Sequence, residues 1–462
     1  MMCSTVNKIK RYLVEVENIS PFRIGNGDEE GSGILLSNNY AVINGTTLAG
    51  LFREFLMKDK ELDEDNARYK LVFPPETEKN ISNIYFFDAM STEKIMKDDF
   101  VCRTHIKIDK NLGVAMEEHL YQEHHISQGK KFNLTFEVRG LNLLEDNYKK
   151  LCSYVEEFIW RISNSLLSIG SKSTFGFGKF KSIQQSKYYC MEYDLLEEKS
   201  LNEYLEYTSI LKNNLCETQM QQHISSCEII FEGYCEDGFI IKSDEEQIKN
   251  EKNKDKTKTK IIGKSHNEKI NGEDKFIIPS STIKGIVRNY SYKIYETLGE
   301  NTIELDEKFG RGTKEKHEIE KGKAIKGILV FNDCQIEHNV LEVYNRIKID
   351  RFTGSVMNGQ VFADKLVIIP EETPVEFKVG LKQYDEKIMA LLILAFRDIG
   401  LGYVTVGSGN NVGCGRFNGL SITINKGNNK CYKVKFKGDI LEGDLEEFNK
   451  IVNTINEQKV KV

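Results

Sequence analysis

The sequence predicts an α+β protein built from two tandem, modified ferredoxin-like (RRM-like) domains, each carrying a protruding β-hairpin. Two observations carry this: three motifs recur in the same order at nearly constant offset, and each half reads strand, helix, strands, helix, strand. The first motif is Gly45-Thr46-Thr47-Leu48-Ala49-Gly50-Leu51-Phe52-Arg53, against Ser280-Ser281-Thr282-Ile283-Lys284-Gly285-Ile286-Val287-Arg288. The second is Ile106-Lys107-Ile108-Asp109-Lys110 with Gly113, against Ile347-Lys348-Ile349-Asp350-Arg351 with Gly354. The third is Gly170 with Gly176-Phe177-Gly178-Lys179-Phe180, against Gly407 with Gly413-Cys414-Gly415-Arg416-Phe417. One match would be chance; three in register make a duplication.

Each copy opens on an alternating stretch, Tyr12 to Glu17 and Cys227 to Glu232, which predicts a half-buried strand. A Ser/Thr cap then starts a helix with apolar residues at helical spacing: Leu48, Leu51, Phe52, Phe55 and Leu56, or Ile283, Ile286, Val287 and Tyr290. The Ile-Lys-Ile-Asp stretch alternates, turns at glycine and continues extended, which predicts a hairpin that projects. A second amphipathic helix carries Leu151, Val155, Phe158, Ile162 and Leu166, matched by Ile388 to Ile399. A glycine-rich hairpin and a strand close each half. These signals place the first domain at 1–195, a polar linker at 196–222, the second domain at 223–440 and a tail at 441–462. Within the second domain, 242–275 is nearly all Lys, Asn, Asp, Glu and Thr and reads as a mobile loop, either inert or ordered by a ligand.

Composition narrows the function. The chain has 462 residues, 40% hydrophobic and 29% charged, enough for several cored domains. The longest apolar run, Ile388 to Phe396, is too short to span a bilayer, and Met1 to Tyr12 has no secretory apolar stretch. Ten cysteines without a Cys-x-x-Cys pair suit reduced thiols in a cytoplasm. A net charge of −6 gives no global attraction for nucleic acid, so such binding must use local basic faces.

The helix-opening motif supplies one such face. Lys284 and Arg288 sit one turn apart beside the Ser281 and Thr282 hydroxyls and the free N–H groups of a helix start, a combination that suits a phosphate. Arg53 repeats one cation in the first copy, where Ala49 replaces the lysine; a capped helix with solvated cations is the plain alternative. The glycine motif is no Walker A loop, because no Ser or Thr follows Lys179 or Arg416 and a strand follows the glycines. Its glycines could admit a phosphodiester chain neutralised by Lys172, Lys179 and Arg416, or simply make a tight hairpin at positive φ. Phe352 at the second hairpin could stack on bases or join a core. His105, His119, His124 and His125 cluster on extended chain, a weak arrangement for a metal. The acidic turns Asp28-Glu29-Glu30 and Asp244-Glu245-Glu246 could hold Mg²⁺, or be solvated.

Together these residues resemble the RAMP superfamily of CRISPR-associated proteins, most nearly the backbone subunit of type III effector complexes doubled into one chain. Ile349-Asp350-Arg351-Phe352-Thr353-Gly354 and Ser280 to Arg288 carry the resemblance; Ile108 to Gly113 and Thr46 to Arg53 are looser. The resemblance implies contacts to a guide RNA (crRNA) through Thr46, Arg53, Lys107, Lys172, Lys179, Ser280, Ser281, Lys284, Arg288, Lys348, Arg351, Phe352 and Arg416. It implies that the hairpin at Arg351–Phe352 is a thumb kinking the guide–target duplex. It also implies cleavage of target RNA by a loop aspartate and a divalent metal. The aspartate's position falls near Ser32 in the first copy and near His266 in the second, with Asp28 and Asp244 as nearby substitutes. The implied partners are guide RNA, target RNA and other effector subunits, with no membrane. A purely structural guide-binding subunit is the alternative within the family, and a small-molecule sensor of paired ferredoxin-like domains is one outside it. A guide-processing endoribonuclease needs a histidine near the glycine loops, and neither copy has one.

Overall fold

In the computed structural model, the strand predicted at Tyr12 to Glu17 runs over Thr5–Asn18 and organises the first sheet. One edge pairs antiparallel with Lys131–Leu144 along nearly its whole length; the other pairs with Lys187–Asp194 and then Lys179–Ser182. The structure describes residues 5–27, 33–75, 81–108, 115–184, 187–206, 216–220, 227–249, 259–270, 272–311, 325–427, 430–438 and 440–455. Two units are present. Unit 1 holds Met1–Cys102, His124–Ser173 and Phe177–Ile224; unit 2 holds Arg103–Glu123, Thr174–Gly176 and Ser225–Val462. Two short pieces of the first repeat, 103–123 and 174–176, thus belong to unit 2.

In unit 1, α1 (Gly45–Asp59) buries Leu48, Leu51, Phe52, Phe55 and Leu56, the predicted stripe. The short α2 (Ala67–Val72) follows, and α3 (Glu145–Ser163) buries Leu151, Val155, Phe158 and Ile162. Leu166 falls beyond that helix, in the strand Asn164–Ser168. Phe52 and Phe158 meet edge to face at 5.0 Å, and Phe86 and Phe136 extend the aromatic core at 6.0 Å. Helix α4 (Glu198–Leu205) and the strand Cys216–Gln219 occupy the stretch read as a linker. That strand pairs with Lys187–Asp194, which its polar composition hid.

Unit 2 repeats the plan. Cys227–Phe239 pairs with Val375–Leu381 on one edge and Asn418–Asn425 on the other, and Leu329–Phe331 adds to Val375–Leu381 as Ile84–Phe86 adds to Lys131–Leu144. Helices α5 (Ser280–Leu298), α6 (Ile303–Phe309) and α7 (Glu386–Gly400) cover the core, with Phe231 against Phe377 and Phe396 at 5.4 and 5.7 Å. Two expectations need correction. The charged stretch 242–275 holds the strands Lys242–Lys249, Thr259–Ser265, Asn267–Ile270 and Glu273–Ile278, and it buries Ile262, His266, Glu268 and Ile270. Its burial is of paired charges and a few isoleucines, which composition does not reveal. The stretch read as a tail contains α8 (Leu445–Asn453), where Phe448 and Ile451, three apart, reach the core. Among the described residues no helix is long and apolar enough to cross a membrane, and the described cysteines are free thiols.

The glycine motifs are tight turns. Gly178 and Gly415 have φ of +70° and +82°, and a Cβ on them would sit 2.0 Å from the Ile169 carbonyl oxygen and 2.3 Å from that of Val406. Gly178→Ala or Gly415→Ala is therefore expected to lower stability by about 1–3 kcal/mol or more in urea unfolding. Gly354→Ala, at φ +69° with open space around it, should lose only about 1 kcal/mol.

Candidate nucleic-acid interface

The start of each repeat's first helix is set by a carboxylate. Asp88 Oδ1 accepts the Gly45 N–H at 2.6 Å, and Asp333 Oδ1 accepts the Ser280 N–H at 2.8 Å. Each aspartate lies two residues after a strand phenylalanine, Phe86 or Phe331. The residues before the helices are Asn44 and Pro279, not the predicted Ser/Thr caps. An anion already sits at each helix end, so these N–H groups do not form the open phosphate cradle that the sequence suggested.

The helix faces tell the rest. Thr46, Gly50 and Arg53 lie on one exposed line of α1; Ser281, Gly285 and Arg288 form the matching line of α5, with Gly285 exposed and the other two half-buried. Gly50 and Gly285 sit in helix interiors where an added Cβ would meet nothing within 4 Å. Lys284 points elsewhere. It is buried, with Nζ 3.0 Å from Thr174 Oγ1 and 4.3 Å from the centre of the Phe175 ring. Ser280 is buried too, its hydroxyl donating to the Phe175 carbonyl. Arg288 is held by Asp306 at 2.7 Å and by Tyr292, whereas Arg53 is exposed and stacks its guanidinium 4.5 Å from the Phe73 ring.

The second hairpin pairs Val340–Ile349 with Val356–Ile369. Its turn is locked: Asp350 Oδ1 accepts the N–H of Phe352 and of Thr353, both at 2.8 Å, and Gly354 takes the left-handed position. Those two N–H bonds hold the Asp350 carboxyl below its ordinary range. The outcome is a Phe352 side chain 99% exposed, flanked by exposed Arg351 and, four residues back in the chain, exposed Lys348. At the hairpin base a buried carboxylate, Asp364, binds Arg346 and also Lys242 at 2.9 Å. In the first copy Phe100–Ile108 and Ala115–Ile126 pair as a two-stranded ribbon; its tip and the Lys107 side chain lie outside the described residues. Lys172, at φ +60°, and Lys179 are half-buried, and Arg416 is exposed.

The candidate catalytic residues do not assemble. Asp28 and Ser32 lie outside the described residues, as does the Asp244 side chain, though its backbone pairs with Lys264. His266 is buried, with Nε2 2.7 Å from Glu268 Oε1, an arrangement that assigns the proton to Nε2. Glu268 in turn binds the Arg103 fork at 2.7 and 3.1 Å, and Arg103 reaches Asp333 at 2.7 and 3.0 Å. His266 is thus a member of a buried ion network rather than a group facing a strand. Burial pushes the Glu268 carboxyl up, but Arg103 and the His266 hydrogen bond outweigh it and hold it at about 2. Burial likewise opposes the Arg103 charge, and Asp333 and Glu268 overcome it. Among the described residues no three His, Cys, Asp or Glu side chains gather as a metal site. Arg103, Glu268 and Asp333 escaped the sequence reading, although the repeated Phe-x-Asp was there to find.

A family model described as the RAMP superfamily matches residues 15–181 and again 254–418. No curated protein matches the chain. Among solved structures, it is similar at 18% identity to a chain in a structure titled "Cryo-EM structure of the Type III-B Cmr-beta bound to cognate target RNA". That match has a TM-score of 0.30 and covers 40% of this chain and 61% of the other, so this chain spans about three fifths of that relative's length.

Removing Arg103 strands the buried Glu268 carboxylate and the part-buried Asp333. Arg103→Met is expected to cost about 3–5 kcal/mol in chemical denaturation, and Arg103→Lys to rescue little, because one ammonium cannot serve both in a fork. The Glu268 carboxyl falls from an ordinary 4.5 to about 2, so its stabilisation is whole above pH 4.5 and drains as pH drops towards 2. Glu268→Gln should flatten that acid limb of the stability profile.

Proposed function

Because this chain belongs to the RAMP superfamily, matched twice along its length, we propose that it is a guide-RNA-binding subunit of a type III CRISPR interference complex. In this reading each repeat is a modified ferredoxin-like module, and the hairpin ending at Phe352 is a thumb. The guide's ribose-phosphate chain runs over the lines Thr46–Gly50–Arg53 and Ser281–Gly285–Arg288, where hydroxyl, bare backbone and guanidinium follow at one-turn intervals.

The observation that carries this reading is the pair of helix glycines. An exposed glycine inside a helix costs about 0.5–1 kcal/mol against alanine, yet both copies keep one where no atom of the described residues would obstruct a side chain. Glycine there is explained by something outside the chain that must come close to the helix backbone, and a phosphodiester strand fits between the flanking hydroxyl and guanidinium. Phe352, held in water by an ordered turn between cations, supports the thumb role by offering a ring for stacking. Lys284 and Ser280, buried against residues 174–175, and His266, bound to Glu268, are left out of the RNA contacts and the chemistry. Metal-dependent cleavage of the target belongs to the same proposal through Asp28 and Asp244. Its test is target cleavage by a reconstituted complex carrying both Asp→Ala changes, and unchanged cleavage would remove that assignment.

The binding role predicts a dissociation of stability from affinity. Gly50→Ala and Gly285→Ala should each raise stability by about 0.5–1 kcal/mol while weakening binding of a guide-length RNA. Binding of the unaltered protein should fall steeply with salt, Arg53→Ala should make that slope shallower, and Phe352→Ala should lower affinity without changing it. If the alanine variants bind RNA as the parent does, the guide path assigned to these helices is wrong.

A further inference from the structure

The first helix of each repeat keeps different company. In unit 2 the space beside α5 is filled: the Lys284 ammonium packs on Phe175 and Thr174, and α6 brings Asp306 to 2.7 Å from Arg288. In unit 1 Ala49 stands where the repeat has Lys284, and α2, with the sequence Ala-Arg-Tyr-Lys-Leu-Val, has no carboxylate to offer Arg53. The space stays open as a cavity of about 640 Å³, lined by Ala49, Arg53, Glu64, Tyr69, Phe73 and Phe86 among others. All of these lie within unit 1.

The lining divides into an apolar wall and a polar mouth. The Tyr69 and Phe73 rings are 5.4 Å apart and tilted by 46°, and Pro74 and Phe86 extend the wall. Among the described lining residues the charged ones are Arg53 and Glu64, and both are exposed. Arg53 stacks on Phe73 and also ends the Thr46–Gly50–Arg53 line, so a strand following that line meets the cavity without leaving its path. With a phosphate on the guanidinium, the attached base can leave its stack and enter among the rings. Glu64 then chooses the base. An ionised carboxylate only accepts hydrogen bonds. Guanine offers it two adjacent donors, N1–H and N2–H. Adenine and cytosine set a ring-nitrogen acceptor beside their one donating amine, and uracil flanks its one N–H with carbonyl oxygens.

We propose that this cavity takes one unstacked guanine base of the bound RNA, with Glu64 accepting from N1–H and N2–H, the Tyr69 and Phe73 rings against the base and Arg53 on its phosphate. The inference rests on the RNA-binding reading of α1 and deepens it. Arg53 keeps its place on the strand's path, and the cavity adds a choice of base to a path otherwise made of backbone contacts. In unit 2 Lys284 and Phe175 occupy the corresponding place, so α5 has no such choice to make. A single guanine pocket in each molecule sets the register in which the RNA lies on it.

Fluorescence anisotropy with the nuclease-treated full-length chain tests this, using a guide-length oligouridine and the same strand with one central guanosine. The guanosine strand is expected to bind about tenfold more tightly. Adenosine, cytidine or an abasic nucleotide at that place should recover little of the gain. Ala49→Trp, which fills the cavity, should bring the guanosine strand down to the all-uridine affinity, and unchanged oligouridine binding by this variant reports an intact fold. Glu64→Gln should lose the guanosine preference and favour adenosine, since an amide offers one acceptor and one donor, a change that misfolding cannot produce. Gly50→Ala, by contrast, should weaken both strands alike. Free GMP at millimolar concentration should leave the strand bound; displacement by micromolar GMP makes the cavity a mononucleotide site and overturns its assignment to the strand. Equal affinity for the two strands, or a guanosine gain untouched by Ala49→Trp and Glu64→Gln, overturns this inference and leaves the guide path standing. Binding of neither strand overturns both.

Discussion

A single carboxylate fixes where each functional helix begins. Asp88 and Asp333 hold the first N–H of α1 and α5, and with the start fixed, the residues one and two turns later can only face one way. In unit 2 the same Asp333 is half of a buried clamp on Arg103, whose other half is Glu268 with His266 behind it. Two carboxylates facing one guanidinium leave excess negative charge in a low-dielectric place; the positive end of α5 and the His266 N–H both point at it. In unit 2 helix placement and charge burial therefore stabilise each other.

The duplicated plan has diverged along the first helix of each repeat, and its apolar core has kept its chemistry. Both repeats keep the central strand, the Phe-x-Asp helix start, the helix glycine and the close glycine turn. They differ at Ala49 against Lys284 and in the company of Arg53 and Arg288: the first stacks on Phe73, the second is tied to Asp306. A lysine buried against Phe175 and Thr174 is a packing element whose stem and charge both serve the interior. The same motif position thus does structural work in one copy and opens a cavity in the other.

Strand and helix periodicities were legible because they depend on residues near in sequence. The stripe from Leu48 to Leu56 and the alternation at Tyr12 to Glu17 state their buried faces directly. The duplication was legible for the same reason, as was the tight-turn alternative for the glycines. The clamp was not, because Arg103 lies 165 residues from Glu268 and 230 from Asp333, and an ion pair leaves no periodic mark. The strands of 242–275 hid for a related reason: their interior is His266, Glu268 and a few isoleucines, so composition read as solvent what pairing had made core. Lys284 misled in the opposite sense. As a cation at a helix start it looked like a phosphate ligand, and only the fold shows that residues 174 and 175 take its charge.

The proposed RNA-binding role requires an acidic chain to separate its charges by role, and the described cations are divided in that way. Cations such as Arg103, Arg346 and Arg288 are spent on buried or half-buried carboxylates, while Arg53, Lys348, Arg351 and Arg416 remain on exposed positions. The features next to those exposed cations break local rules. Glycine occupies helix interiors, a phenylalanine ring stands wholly in water, and Val340–Ile349 keeps Val343, Ile347 and Ile349 roughly half exposed. The helix glycines cost the isolated chain stability against alanine, and among the described residues no side chain packs on them. Their placement beside positive charge on a repeated scaffold is what the proposed binding of a stacked, backbone-held nucleic acid would use.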